Sequence, residues 1–377
     1  MIKSFLQKAG LIVISIAIAV GIGEAASRLL EQDPGQNYSV APTGNQYEFY
    51  QFDKLLGWKN SPGAHGIFQR DEFRYEISIN RYGMRQKEVD MKPGPDVFRV
   101  AFLGDSFVWG IGVPDEQRFT DIVGARPGVE ALNFGVSGYS PVQYYLMIDK
   151  VIAFHPQLVV IASCSNDFAD NVLYRRYGYY KPYAVLDGEG GIAIKGYPIR
   201  NVNRFGARDN ALKHDWLEHS HLYRMATNYL DQKRSSSGQR GLVGFKTIYQ
   251  YSALDEQYRR LRDISITVNT RLMEKIKQRL DKAGIPLAII TAPTKFEYNP
   301  SGQYGNFIRD NQVAEILANT AADLGIDLIN TIPLLDGYDF WVRDGHWNPH
   351  GHEKMAAAMV DYLVNAGYIS GNNRSSQ

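Results

Sequence analysis

The chain has 377 residues, 44% hydrophobic and 21% charged, the composition of an ordinary globular protein long enough for one large domain or two small ones. Its 41 Lys and Arg residues against 40 Asp and Glu residues leave a formal net charge of +1, so nucleic acid is not an expected partner. The single cysteine, Cys164, excludes an internal disulfide framework and, within an apolar run, is expected to be a buried free thiol.

The first 30 residues predict a membrane segment. Lys3 and Lys8 precede an uncharged run over 9–23, which is the charge order of an exported chain. Because this run is shorter than the roughly 20 apolar residues that a spanning helix needs, a cleaved signal peptide is the alternative. Apolar spacing continues to Leu30, and Glu24 suits a cleavage site poorly, which favours an uncleaved anchor. In either case we expect the rest of the chain on the periplasmic or extracellular side of the inner membrane.

Residues 31–95 are expected to form a β-rich extension that packs on the main domain. Aromatic and polar residues alternate there between frequent chain breakers, as in FRYEISINRYGMRQKEV. Such a pattern predicts short strands joined by turns.

Residues 96–370 contain apolar strands that alternate with helical segments. Val, Ile and Leu occur in these strands without strict alternation, which predicts burial on both faces. The alternation of strand and helix predicts a three-layer α/β/α fold, a doubly wound parallel sheet of the flavodoxin type. In such folds ligands bind at the carboxyl ends of the strands. The predicted strands start at Phe98, Val129, Gln157, Pro286 and Ile326.

A long insertion over 171–257 interrupts this alternation. It contains the tyrosine-rich segment LYRRYGYYKPY, a predicted hairpin through LDGEGGIAI and a polar patch at 231–241. We expect the polar patch to be a surface linker. The tyrosine-rich part fits either a surface decoration or a wall or lid of a binding cleft. Residues 371–377 are expected to be a disordered tail.

Polar or glycine residues follow the first three strands of this domain. Ser106 follows the first strand and fits a helix cap, a turn or a nucleophile. Gly138 follows the second, and an unshielded glycine N–H is a common oxyanion donor. Asn166 follows the third, where its amide either caps a turn or donates to developing negative charge. Gly110 and Gly112 lack the third glycine of a dinucleotide-binding turn, so no such cofactor is expected.

Near the C-terminus, Asp344 and His346 lie two residues apart in DGHWNPHGH. An acid so placed can fix the tautomer of an imidazole that removes the serine proton. A metal cluster of Asp344, His346, His350 and His352 is the alternative, but Pro349 interrupts the helical spacing it needs. We therefore expect no metal, and expect His350 or His352 to cap the terminal helix. The combination of Ser, Gly, Asn and His in this order is more specific than any one alone.

These residues resemble the SGNH family, also called GDSL-type hydrolases. GDSF, GVSGYS, CSND and DGHWNPHGH look like its four blocks. The resemblance implies a serine esterase in which Ser106 is the nucleophile and His346 is the base oriented by Asp344. It also implies an oxyanion hole formed by the N–H groups of Ser106 and Gly138 and by the Asn166 amide.

The Asp-x-His-Trp-Asn form of the last block is similar to that of acetyltransferase-like members that modify exopolysaccharides. LLGWKNSPG and INRYGMR in the extension are similar to membrane-anchored bacterial members. The resemblance thus implies an extracytoplasmic ester or acylated glycan as substrate, and an ester hydrolase as the function. An O-acetyltransferase or deacetylase of a cell-envelope polysaccharide is one alternative. A catalytically silent, membrane-tethered binding protein is an alternative of another class. The sequence indicates neither the presence nor the identity of a protein partner.

Overall fold

The computed structural model describes residues 46–177, 179–188, 190–199, 256–295 and 310–370, together with the isolated positions 15 and 21. Several predictions lie outside the described residues. They concern the membrane segment over 1–30 (apart from those two positions), residues 31–45 of the extension, most of the insertion beyond residue 199, and the tail over 371–377. In the described part of the chain, no helix has both the length and the apolarity to cross a membrane.

The secondary structure follows the predicted alternation of strands and helices. The strands are β1 (Tyr50–Asp53), β2 (Gly57–Asn60), β3 (His65–Gln69), β4 (Arg74–Ser78), β5 (Phe98–Leu103), β6 (Val129–Asn133), β7 (Leu158–Ser163), β8 (Arg175–Arg176), β9 (Tyr179–Tyr180), β10 (Tyr183–Leu186), β11 (Ile192–Lys195), β12 (Leu287–Thr291) and β13 (Asp327–Ile329). The helices are α1 (Ser106–Trp109), α2 (Phe119–Gly124), α3 (Pro141–Ile152), α4 (Ser165–Val172), α5 (Glu256–Lys282), α6 (Asp310–Leu324) and α7 (Pro349–Asn365).

Five strands form one parallel sheet in the order β13-β12-β7-β5-β6. Numbered among themselves along the chain, the strands follow the order 2-1-3-4-5 of a flavodoxin-like sheet. Each begins within one residue of its predicted start, so the doubly wound parallel sheet is confirmed. The strand order reverses between β5 and β7, and a crevice for ligands is expected at the carboxyl ends of these two strands.

Both faces of the sheet are covered, which makes three layers. On β5, Ala101 and Leu103 belong to a core shared with α3, α4 and α5, whereas Val100 and Phe102 belong to a core shared with α2 and α7. Successive side chains of a strand point to opposite faces, so the apolar run over 100–103 supplies both cores. Cys164 is buried in the second core, as predicted.

The extension forms two antiparallel hairpins, β1–β2 and β3–β4, which confirms the short strands predicted there. They pack on the sheet face that carries α3. Two buried indole N–H groups connect the extension to the main domain: Trp58 Nε1 donates to the Ser137 carbonyl at 3.0 Å, and Trp109 Nε1 donates to Asn60 Oδ1 at 3.0 Å. The hairpin predicted in the insertion is also confirmed, as the pair β10–β11.

Candidate active site

Ser106 is the first residue of α1, which begins three residues after the last residue of β5. The residue that caps this helix is Asp105, whose Oδ1 accepts a hydrogen bond from the Phe107 N–H at 3.0 Å. The interpretation of the Ser106 side chain as a helix cap is therefore wrong. Its Oγ instead lies 2.7 Å from His346 Nε2, and the residue is 7% exposed. The hydroxyl is thus held against a base while a small part of the residue remains open to solvent.

His346 lies between Ser106 and Asp344. Asp344 Oδ1 accepts hydrogen bonds from the His346 ring at Nδ1 and from the His346 backbone N–H at 3.0 Å. An ionised carboxylate only accepts hydrogen bonds, so the ring proton lies on Nδ1. Nε2 then carries a lone pair, and the Ser106 O–H donates a hydrogen bond to it. The three side chains form a continuous line of hydrogen bonds from hydroxyl to carboxylate.

Asp344 remains ionised in this line. Burial by itself raises the pKa of Asp344, but His346 and the Arg70 guanidinium together hold that pKa well below its ordinary value. Asp344 is therefore an anion at neutral pH. A fixed negative charge beside Nδ1 favours the imidazolium that forms when His346 accepts a proton.

Asn166 lies in the first turn of α4, after β7, and its amide faces two carboxylates. Nδ2 donates to Asp105 Oδ2 at 3.2 Å and to Asp170 Oδ2 at 3.1 Å. Burial raises the pKa of Asp105, and the hydrogen bonds from Phe107 and Asn166 oppose that shift. The amide is thus placed beside the residue that precedes Ser106. Asp170 was not among the residues predicted from the sequence, although its position four residues after Asn166 on one helix is a detectable signal.

Gly138 lies in the loop between β6 and α3, where its φ of 76° is a left-handed conformation that favours glycine. A Cβ at this position would lie 2.7 Å from the Tyr177 ring and 3.3 Å from the Trp58 ring. Tyr177, between β8 and β9, belongs to the tyrosine-rich part of the insertion. The tyrosine-rich part therefore lies against the Gly138 loop, where a wall of the binding cleft is expected.

Two further residues contact the Asp344–His346 segment, and neither was predicted from the sequence. Arg70 Nη1 donates to Asp344 Oδ2 at 2.5 Å. Glu72 Oε2 accepts hydrogen bonds from the backbone N–H groups of Arg343 and Asp344, each at 2.7 Å. Residues 70 and 344 are 274 positions apart, and no local pattern in the sequence connects them.

The remaining histidines of the last block have other partners. The N-cap of α7 is Asn348, whose side chain accepts from the Gly351 N–H at 3.1 Å, so the prediction that His350 or His352 caps this helix is wrong. His352 Nδ1 accepts from the Phe119 N–H at 3.3 Å, and burial lowers the pKa of His352 well below its ordinary value. Within the described ranges, no three His, Cys, Asp or Glu side chains are grouped to hold a metal ion.

The model of the GDSL-like Lipase/Acylhydrolase family matches residues 102–354. A carbohydrate acetylesterase from Sinorhizobium meliloti is 13% identical, with 71% of this chain and 99% of that chain covered and a TM-score of 0.39. A GDSL-like lipase from Bacteroides thetaiotaomicron is 15% identical, with 73% and 91% covered and a TM-score of 0.37. A lipolytic protein of the G-D-S-L family from Veillonella parvula is 14% identical, with 71% and 98% covered and a TM-score of 0.37. A comparison with curated proteins gives no match.

Proposed function

We propose that this chain, which belongs to the GDSL-like lipase/acylhydrolase family, is a serine esterase that acts through an acyl-Ser106 intermediate. The observation that carries the proposal is the hydrogen-bonded line from Ser106 Oγ, 2.7 Å from His346 Nε2, through the imidazole to the Asp344 carboxylate. The matched region, 102–354, also contains Gly138 and Asn166. A hydroxyl, an imidazole and a carboxylate in such a line catalyse the hydrolysis of esters.

The first half of the proposed reaction forms the acyl-enzyme. As Ser106 Oγ attacks the ester carbonyl carbon, His346 Nε2 takes the hydroxyl proton, and the carbonyl electron pair moves onto its oxygen. Asp344 stabilises the imidazolium. When the tetrahedral intermediate collapses, the C–O bond to the alcohol breaks, and the departing alcohol takes the proton from Nε2. Acyl-Ser106 and neutral His346 remain.

The second half reverses these roles with water. His346 Nε2 takes a proton from the attacking water, whose oxygen bonds to the acyl carbon, and Ser106 leaves with that proton as the free acid is released. A sugar hydroxyl in place of water would complete an O-acetyl transfer instead. The acyl-enzyme is common to the hydrolase, deacetylase and transferase alternatives, and the acceptor distinguishes transfer from the other two.

The proposed oxyanion hole consists of the backbone N–H groups of Ser106 and Gly138 and the Asn166 amide. The first N–H groups of a helix have no intrahelical acceptor, which leaves the Ser106 N–H available. Asn166 Nδ2 donates to two carboxylate oxygens, Asp105 Oδ2 at 3.2 Å and Asp170 Oδ2 at 3.1 Å. Donation to an oxyanion therefore requires Asn166 to exchange one of these contacts as negative charge develops on the substrate.

Trp347 and Asn348, the last two residues of the Asp-x-His-Trp-Asn block, have structural partners. The Trp347 ring is fully buried, with its centroid 4.6 Å from that of Phe107, and its Nε1 donates to the Pro293 carbonyl at 2.9 Å. Asn348 caps α7. These contacts account for both residues without an acyl acceptor, so we place hydrolysis first and transfer to a cell-envelope polysaccharide second.

The proposed location is the inner membrane, with residues 1–30 as a single-pass anchor and the catalytic domain on the periplasmic or extracellular side. Two lysines before an uncharged run support this orientation, since positive charge is retained on the cytoplasmic side. The expected substrate is then an ester or acylated glycan outside the cytoplasm.

A serine-reactive fluorophosphonate tests the proposal on the full chain purified in detergent. We expect an adduct on Ser106 and turnover of p-nitrophenyl acetate, both abolished in Ser106→Ala. Ser78→Ala is the matched control, because Ser78 is exposed at the end of β4. Wild-type protein that forms no adduct would support the binding-protein alternative. Intact mass of the acetyl-enzyme, chased with water or with oligosaccharides, then distinguishes hydrolysis from transfer by which acceptor releases the acetyl group faster.

A further inference from the structure

The turn between β3 and β4, residues 70–73, contacts the catalytic acid from outside the region that the family model matches. We call this turn the hairpin tip. Arg70 Nη1 is 2.5 Å from Asp344 Oδ2, and both side chains are only 12% exposed. An ion pair so shielded from water is screened less than a surface pair, and its partners are costly to separate.

The hairpin tip also contacts the backbone and one ring of the segment over 341–346, which we call the acid–base loop. Glu72 Oε2 accepts from the N–H groups of residues 343 and 344 at 2.7 Å each. The Phe73 ring packs against the Trp341 ring with centroids 5.4 Å apart. From another direction, Lys295 Nζ donates to the Trp341 carbonyl at 2.7 Å. The acid–base loop is thus held between the extension and the segment that follows β12.

We infer that Arg70 and Glu72 are positioning residues for the His346 base, an inference that rests on the proposed function. One oxygen of Asp344 accepts from His346 and the other accepts from Arg70. The torsion that turns a carboxylate has a broad, roughly two-fold energy profile, so a single hydrogen bond leaves the carboxylate plane poorly defined. Arg70 fixes that plane through the second oxygen, and Glu72 fixes the backbone that carries Asp344.

The consequence concerns the extent of the active site. The family match begins at residue 102, whereas the hairpin tip lies about thirty residues earlier in the chain. The extension thereby completes the catalytic site. If the hairpin only stabilised the fold, substitutions in the hairpin tip would leave kcat of the folded enzyme unchanged. If Arg70 and Glu72 position His346, their substitution lowers kcat, and the effect of substituting Arg70 depends on whether Asp344 is present.

The test uses the full chain with p-nitrophenyl acetate as probe and compares Arg70→Gln, Arg70→Lys and Glu72→Ala. For Arg70→Gln we expect kcat to fall about 10- to 100-fold with little change in KM, since small misplacement of a catalytic group has effects of this size. Arg70→Lys keeps the positive charge and is expected to recover part of the loss. Arg74→Gln is the matched control, because Arg74 is exposed on the same hairpin and is expected to retain the wild-type kcat.

A double-mutant cycle with Asp344→Asn separates positioning from general stabilisation. If Arg70 acts through Asp344, Arg70→Gln costs little or nothing further in the Asp344→Asn background. Equal losses in both backgrounds, or wild-type kcat in Arg70→Gln, would overturn the inference. If Arg70→Gln does not fold, Arg70→Lys and Glu72→Ala decide, and wild-type kcat in both would also overturn it.

The proposed function and this inference fail in different ways. Wild-type chain that forms no fluorophosphonate adduct at Ser106 contradicts both. Wild-type chain that forms the adduct, with an Arg70→Gln variant labelled at the same rate, contradicts the positioning role alone. Slower labelling of Arg70→Gln and unchanged labelling of Arg74→Gln support it.

Discussion

Replacement of Asp344 by Asn most directly tests the proposed catalytic line of Ser106, His346 and Asp344, because it keeps the size of the side chain and removes its charge. In the wild type, Oδ1 accepts from the ring and backbone of His346, and Oδ2 accepts from Arg70. Asparagine has one acceptor oxygen and one NH2 group. Either orientation therefore sets a donor against another donor, at His346 or at Arg70.

The size of the effect follows from these two orientations. With the NH2 group toward His346, Nδ1 must become the acceptor, which places the ring proton on Nε2 and removes the lone pair that takes the Ser106 proton. The same acid-to-amide change in a serine protease lowers kcat by about 10⁴, or about 5.5 kcal/mol of transition-state stabilisation. With the NH2 group toward Arg70, a guanidinium that is only 12% exposed faces a donor in place of the Asp344 carboxylate oxygen. We expect a loss of about 10³- to 10⁴-fold in kcat.

The Asp344→Asn variant should also change how the free energy of unfolding depends on pH. The folded-state pKa of Asp344 is depressed, so its ionisation stabilises the fold above the unfolded carboxyl value of about 3.9, and this contribution is lost as pH falls through the folded value. The free-energy difference between wild type and Asp344→Asn should therefore be largest near neutral pH and should shrink below about pH 4.

Steady-state kinetics with p-nitrophenyl acetate and urea unfolding at several pH values measure both effects. Asp361→Asn is the control, since Asp361 is exposed on α7. An Asp344→Asn variant that folds and keeps more than a tenth of the wild-type kcat would refute the assignment of Asp344 as the residue that orients His346.

Two further predictions concern the oxyanion donor and a buried lysine. Asn166→Ala should lower kcat by about 10²- to 10³-fold with p-nitrophenyl acetate, as expected for loss of one oxyanion donor, and an unchanged kcat would remove Asn166 from the oxyanion hole. Lys181 is buried and donates to the carbonyls of Asp170 at 2.6 Å and Pro182 at 3.1 Å; burial lowers the pKa of Lys181 to about 8. Because the unfolded chain holds this proton up to about pH 10.4, the unfolding free energy should rise between pH 8 and 10, more steeply in wild type than in Lys181→Met; equal slopes in urea titrations would contradict this.

The sequence by itself determined the central sheet and predicted the members of the proposed catalytic line, Ser106, His346 and Asp344. The strands at 98–103 and 158–163 are mostly apolar and carry no alternation, and this is a local signal of strands buried on both faces. Ser106 follows the first of these strands, and parallel strands bring their carboxyl ends to one edge. The placement of Ser106 at the ligand-binding edge of the sheet was therefore predictable before any contact was known. Its pairing with His346, which lies in the loop before α7, was implied by the family resemblance.

Only the tertiary structure decided which neighbour performs each local task. Asp105 and Ser106 are both good helix caps, and the structure assigns the cap to Asp105 and turns the Ser106 hydroxyl to His346. The pairing of Arg70 with Asp344 depends on how the extension packs on the main domain, and a contact across 274 positions leaves no periodicity to detect. Strand periodicity arises within a few residues, whereas the partner of a buried charge is selected by the whole fold.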